Sequence, residues 1–105
     1  MSASQRLSRL NVQAEGAAGT RILRLDGELD AESAPELRAL LAGSAARAGD
    51  LILDLSGLRS IDADGLAAIV SACDGARASL VIVGMRPRVA RVVQMAGCAG
   101  EPPFA

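Results

Sequence analysis

Leu51-Ile52-Leu53-Asp54-Leu55-Ser56-Gly57, then Ile61-Asp62-Ala63-Asp64-Gly65-Leu66, then Leu80-Val81-Ile82-Val83-Gly84 is the stretch of the 105-residue chain that decides its fold. Leu51-Ile52-Leu53 is a short uninterrupted apolar run of the kind found in a central parallel strand covered on both faces, and Asp54-Leu55-Ser56-Gly57 ends it. Leu66, Ile69, Val70 and Cys73 then fall at i, i+3, i+4 and i+7, with Ser71 and Asp74 on the other side. This spacing predicts a helix over about Gly65 to Ala76, in which Cys73 is a small buried hydrophobe. Leu80 to Val83 reads as a second buried strand. Strand, helix and strand in this order predict parallel neighbours joined by a right-handed crossover.

Working outward, Thr20 to Asp26 alternates Ile22, Leu23 and Leu25 with Arg21 and Arg24, and stops at the breaker pair Asp26-Gly27, as a half-buried strand does. A weaker strand with Leu7, Leu10 and Val12 precedes it, followed by a turn at Glu15-Gly16-Ala17-Ala18-Gly19. Ser33-Ala34-Pro35-Glu36 has the form of a capping box, in which the Ser33 hydroxyl accepts from the Glu36 N–H. The helix it opens carries Leu37, Leu40, Leu41, Ala45 and Ala48 as its stripe and closes at Gly49. Downstream, Pro87 opens a third helix with Val89, Val92, Val93 and Ala96 inward and Gly97 as its stop. The expected order is β-β-α-β-α-β-α, an α/β domain whose mixed, mostly parallel sheet carries about three helices. The loops after its parallel strands gather at one edge, where a site belongs.

Composition narrows what that site can do. The length suits one domain over residues 1–105, with 1–19 as the weak first strand and turn and 99–105 as a short irregular tail. Half the residues are apolar, yet Phe104 is the one aromatic, so the core is aliphatic and base stacking is excluded. The absence of His and Lys removes Ser-His-Asp and Cys-His nucleophiles, His metal sites, Schiff bases and the P-loop lysine. Eleven arginines against 12 acids leave no electrostatic footprint for nucleic acid or an anionic membrane. Cys73 and Cys98 form no Cys-x-x-Cys motif and read as reduced thiols. With no leader-like apolar run at the N-terminus, the chain is expected to be cytoplasmic.

Two acidic clusters carry candidate chemistry. Asp26, Glu28 and Asp30 begin like a calcium loop, but Ala31 stands where such a loop needs Gly and Leu37 where it needs a bidentate Glu. The expectation is no metal and no cofactor. Asp62-Ala63-Asp64-Gly65 places two carboxylates just ahead of a helix, whose free N–H groups favour negative charge. Two readings stay open: both carboxylates cap and solvate the helix end, or that end binds or imitates an anion such as a phosphoryl group. A solvated helix start lowers rather than raises a carboxyl pKa, which argues against acid/base catalysis, and the missing Lys argues against a phosphoacceptor Asp. Arg86, Arg88 and Arg91 stand at the start of the third helix, where the dipole disfavours cations. They either cover apolar surface as solvated side chains or meet an acidic loop or partner. Arg86, at the end of one strand, is expected to face Asp64 beyond another.

Gly27-Glu28-Leu29-Asp30 before a helix, Leu53-Asp54-Leu55-Ser56, Ile61-Asp62-Ala63-Asp64-Gly65-Leu66 and Val83-Gly84-Met85-Arg86-Pro87-Arg88-Val89 come in the order and spacing of one family. From about Thr20 to Cys98 the chain resembles the STAS family, whose soluble bacterial members are anti-sigma factor antagonists. The resemblance implies partner switching. The antagonist binds an anti-sigma factor that is also a GHKL-type Ser/Thr kinase, releases the sigma factor, and is inactivated when phosphorylated. No enzyme activity is implied for the chain itself.

By resemblance the phosphoacceptor position falls on Asp64, already an acid here, and the docking surface on Glu28, Asp30, Asp62, Ala63, Gly65, Leu66 and Arg86. Family members continue through another strand and a final helix. Here Gly100-Glu101-Pro102-Pro103-Phe104-Ala105 ends the chain, so that helix is expected to be missing and the exposed flank to favour a lasting partner or a homo-oligomer. The competing reading is a STAS module that assembles a multi-protein complex or senses a ligand without any kinase. A neighbouring gene for a GHKL-type kinase or sigma factor favours the first, and one for a transporter or scaffold the second.

Overall fold

The computed structural model describes residues 2–17, 19–45, 50–75 and 80–97, with side chains for 4–16, 19–42, 50–71 and 80–97. Among the described residues five strands and three helices follow in the order β1 (Ser2–Leu7), β2 (Leu10–Ala17), β3 (Thr20–Leu29), α1 (Ala34–Ala45), β4 (Asp50–Ile61), α2 (Ala63–Gly75), β5 (Leu80–Val83) and α3 (Pro87–Met95). They form one mixed sheet in the spatial order β1-β2-β3-β4-β5, antiparallel across β1, β2 and β3 and parallel across β3, β4 and β5. The α/β class, the mixed sheet and the three helices agree with the reading of the sequence. The side chains of Cys73 and Ala45, the continuation of the stripe to Ala48 and its stop at Gly49, and the tail with Cys98 and Phe104 lie outside what the structure describes.

Where one weak strand and a turn were expected over 1–19, there are two strands. Leu7 pairs with Leu10 across a two-residue turn in which Ser8 takes φ 58°, and both leucines are fully buried. Hydrophobic periodicity is silent on β1 because Ser4, Gln5 and Arg6 are exposed. An edge strand is held by its backbone ladder rather than by a buried face.

β3 and β4 also run further than their breakers suggested. β3 passes Asp26-Gly27 and ends at Leu29, while β4 passes Ser56-Gly57 and ends at Ile61, with pairing irregularities between Arg24 and Asp26 and between Gly27 and Glu28. Gly27 sits at φ 111° with the Arg9 carbonyl where a Cβ would stand, and the next N–H, from Glu28, donates to that carbonyl at 3.1 Å. Its glycine therefore marks an approach of backbone to backbone inside a strand, not the end of one. The prolonged strands bring Leu29 and Ile61 opposite each other.

Because β3, β4 and β5 follow in spatial order, right-handed crossovers put α1 and α2 on one face of the sheet. Leu37 and Leu41 of α1, Leu66 and Ile69 of α2, and Val89 and Val93 of α3 join Leu23, Leu25, Leu51, Leu53 and Leu55 in one core. At about 1.5–3 kcal/mol for each fully buried aliphatic side chain, this layer dominates the favourable side of folding. β4 is thus covered on one face, not two. Ile52 is only half-buried, and Val81 and Val83 on β5 are 45% and 42% exposed.

Candidate functional site

The parallel strands β3 and β4 end side by side, and each hands its chain to a helix through an aspartate. At the end of β3, Asp30 is the N-cap of the turn that leads into α1. Its carbonyl accepts from Ser33 N at 3.2 Å and Ala34 N at 2.8 Å, and its Oδ1 accepts from Glu32 N at 3.0 Å and Ser33 N at 3.3 Å. Ser33, fully buried, returns the bond, since its Oγ accepts from Asp30 N at 3.1 Å. The capping box is therefore Asp30 with Ser33, three residues earlier than the Ser33–Glu36 box expected from the sequence. Asp30 wins because the strand runs on to Leu29 and the first helical turn closes on the Asp30 carbonyl.

At the end of β4, Asp62 caps α2. Its N–H donates to the Leu29 carbonyl at 3.1 Å, its carbonyl accepts from Leu66 N at 2.9 Å, and its Oδ1 accepts from Gly65 N at 2.8 Å. The second carboxylate oxygen accepts from Ala31 N at 3.1 Å, so one side chain ties the start of α2 to the loop before α1. Gly65 permits the closeness. A Cβ there would stand 2.6 Å from Leu29 Cγ and 2.8 Å from the Leu29 carbonyl oxygen.

Asp64, one turn position further on, is exposed, and among the described residues no group donates to or pairs with its carboxylate. The two readings of Asp62-Ala63-Asp64-Gly65 therefore divide between its acids: Asp62 is consumed by capping, and Asp64 is a free charge beside it. Ala63 is exposed, while Gly65 and Leu66 are buried. Glu28, on β3, is half-buried and lies 3.7 Å from Arg9.

Arg86 does not meet Asp64 as expected. Its Nε donates to the Ser56 carbonyl at 2.7 Å, which ties the start of α3 back to β4. Below that tie, Asp54 accepts from Ser56 N at 2.9 Å. That backbone bond holds the Asp54 carboxyl below its ordinary pKa, helped by the Ser56 hydroxyl and the Arg24 charge and opposed by partial burial.

Beside the first turn of α2 lies an apolar groove of about 420 Å³ between α2 and α3, which pattern reading of the sequence missed. Its signal was Met95, a large apolar residue three positions past Val92 that stands off the buried α3 stripe and is 80% exposed. Among the described residues no group of three or more His, Cys, Asp or Glu side chains is arranged to hold a metal ion. No described helix is long and apolar enough to cross a membrane.

Comparison with known proteins is decided by a family model. The STAS domain model matches residues 11–105. The chain belongs to the STAS domain family. A search of curated protein sequences returns no match. Among solved structures, this STAS domain is similar to an anti-sigma factor antagonist from Mycobacterium paratuberculosis, at TM-score 0.76 and 21% identity over 84% of this chain and 78% of that one. It is similar to the Bacillus cell fate determinant SpoIIAA in its phosphorylated form, at TM-score 0.67 and 20% identity over 83% of this chain and 84% of that one. It is also similar to part of the murine Solute Carrier 26 family member A9 anion transporter, at TM-score 0.67 and 19% identity over 79% of this chain and 14% of that one. At these identities the likeness is one of fold.

Proposed function

We propose that this STAS domain is a non-enzymatic regulator that works by binding another protein, an anti-sigma factor of the GHKL Ser/Thr kinase type or a related regulator. Asp64 is a fixed negative charge where the family carries a switchable phosphoryl group. The observation that carries the reading is the contrast between two neighbouring acids, since Asp62 spends both oxygens on backbone N–H groups while Asp64 stands exposed with no partner among the described residues. The docking surface is formed by Asp30, Asp62 and Ala63, where β3 and β4 end together, with the buried Gly65 and Leu66 supporting it from beneath and Glu28 and Arg86 at its flanks.

Phosphoserine carries about −1.5 to −2 charge and three acceptor oxygens, whereas Asp carries one charge on a shorter arm, so Asp64 imitates part of the charge and less of the bulk. A carboxylate is no substrate for a Ser/Thr kinase. The test is intact-mass measurement with the cognate anti-sigma kinase and ATP. Asp64→Ser gains one phosphate and the native chain gains none; a phosphate on the native chain refutes the assignment of Asp64.

A second reading, a STAS module within a larger assembly and free of kinase control, is favoured by the likeness to part of an anion transporter chain. Under that reading Asp64→Ser accepts no phosphate from any kinase encoded beside the gene.

A further inference from the structure

We infer that the face formed by α2 and α3 is a self-complementary interface through which two copies of this chain associate about a two-fold axis. The groove supplies the hole. Ala63 and Ala67 on α2 keep it open, Val70 and Val92 floor it, and Met95 and Ala96 stand at its side. The chain also supplies the knob, because Met95 is 80% exposed beside that groove, a large flexible apolar side chain that its own fold leaves in water.

Charge selects a second copy as the occupant. Arg88 and Arg91 lie one helical turn before Val92 and Met95, exposed, and among the described residues neither guanidinium has a hydrogen-bond or ion-pair partner. Arg88 stands in the first turn of α3, where a cation opposes the helix dipole and gains from an external anion, and Arg91 lies one turn further along toward Met95. Asp64 adjoins Ala63 at the mouth of the groove, exposed and equally unpaired among the described residues.

Knob, hole, cation and anion on one side of one molecule meet the requirement of an isologous contact, in which residue i of each copy meets residue j of the other. Met95 of one copy enters the groove of the second, and Arg91, one turn before it, reaches Asp64 of that second copy. Met and Arg are also residue types enriched in protein interfaces. The contact covers the first turn of α2, so self-association and docking of a regulator there exclude one another. Its test needs no regulator and stands or falls apart from the proposed function.

Sedimentation velocity on the full chain, at concentrations from about 5 to about 500 μM, is expected to show the mass rising from 10.7 kDa toward twice that. Met95→Glu and Ala67→Arg, both at exposed helix positions, are expected to weaken association at least about tenfold with unchanged circular dichroism. Asp64→Arg and Arg91→Asp each weaken it about three- to tenfold, and the two together restore it, since the pair is exposed and counted twice in the dimer. A chain that stays monomeric throughout, a Met95→Glu variant that associates like the native one, or a double charge reversal that restores nothing overturns the proposal.

Discussion

Replacing Asp62 by Ala separates the structural acid from the free one, and its cost follows from the bonds it removes. The Asp62 carboxylate accepts from Gly65 N at 2.8 Å and from Ala31 N at 3.1 Å. Losing an N-cap costs about 1 kcal/mol, within a range of about 0.5–2. The bond to Ala31 is charge-assisted, but it is solvent-exposed and its N–H can turn to water, which reduces its share to roughly 0.5–1 kcal/mol. Asp62→Ala is therefore expected to lose about 1.5–2 kcal/mol of unfolding free energy. Asp64→Ala removes only a favourable interaction with the helix dipole, about 0.3–1 kcal/mol, partly offset by the better helix propensity of Ala. Asp62→Asn keeps one acceptor oxygen for the cap, loses the tie to Ala31, and falls between the two. Urea denaturation with a common slope measures all three, and amide exchange locates the effect, with protection lost at Gly65 and Ala31 in Asp62→Ala and retained in Asp64→Ala. Equal losses for Asp62→Ala and Asp64→Ala, or unchanged protection at Gly65 and Ala31, refute the division of roles.

Gly65→Ala raises helix propensity by about 1 kcal/mol, yet it is expected to destabilise by a net 1–3 kcal/mol or so, because the new methyl meets the Leu29 carbonyl oxygen at 2.8 Å and must push α2 away from β3. A thermal melt showing a gain in stability contradicts that packing. Asp54 has a lowered pKa in the folded chain, so its contribution is present above the unfolded value of about 3.9 and is lost as pH falls through the folded one. Asp54→Asn should accordingly be less stable than native at neutral pH, with the gap closing as pH falls below about 4; urea midpoints that stay equally far apart at every pH rule out the linkage.

The legible part of this molecule was the part written in side-chain periodicity. β4, α2, β5 and α3 each display an apolar run or a 3.6-residue stripe; α2, β5 and α3 stand where the spacing put them, and β4 begins there but runs on past its breaker to Ile61. What escaped is written in backbone. β1 has one buried side chain among those described and is held by its ladder with β2. Gly27 looked like a strand end because a glycine beside an aspartate usually is one, and nothing local shows that the Arg9 carbonyl fills the space of its missing side chain.

At the site, proximity of Asp62 and Asp64 to a helix start was readable, but their opposite fates depend on Ala31 and Leu29, which lie more than 30 residues upstream and reach them only through the sheet. The Asp30–Ser33 box was present as a pattern, Asp-x-x-Ser, and was masked by the better-known Ser-x-x-Glu form that overlaps it. Arg86 looked free to cross to Asp64 because the sequence does not show how near the Ser56 carbonyl comes to the start of α3.

Equilibrium binding of the purified chain to the anti-sigma factor proposed as its partner, captured from the native cell and then purified, tests the central claim most directly. If Asp64 is a standing imitation of the phosphorylated state, the native chain binds weakly without ATP and Asp64→Ser binds more tightly under the same conditions. Binding by Asp64→Ser that is no tighter than native contradicts the account.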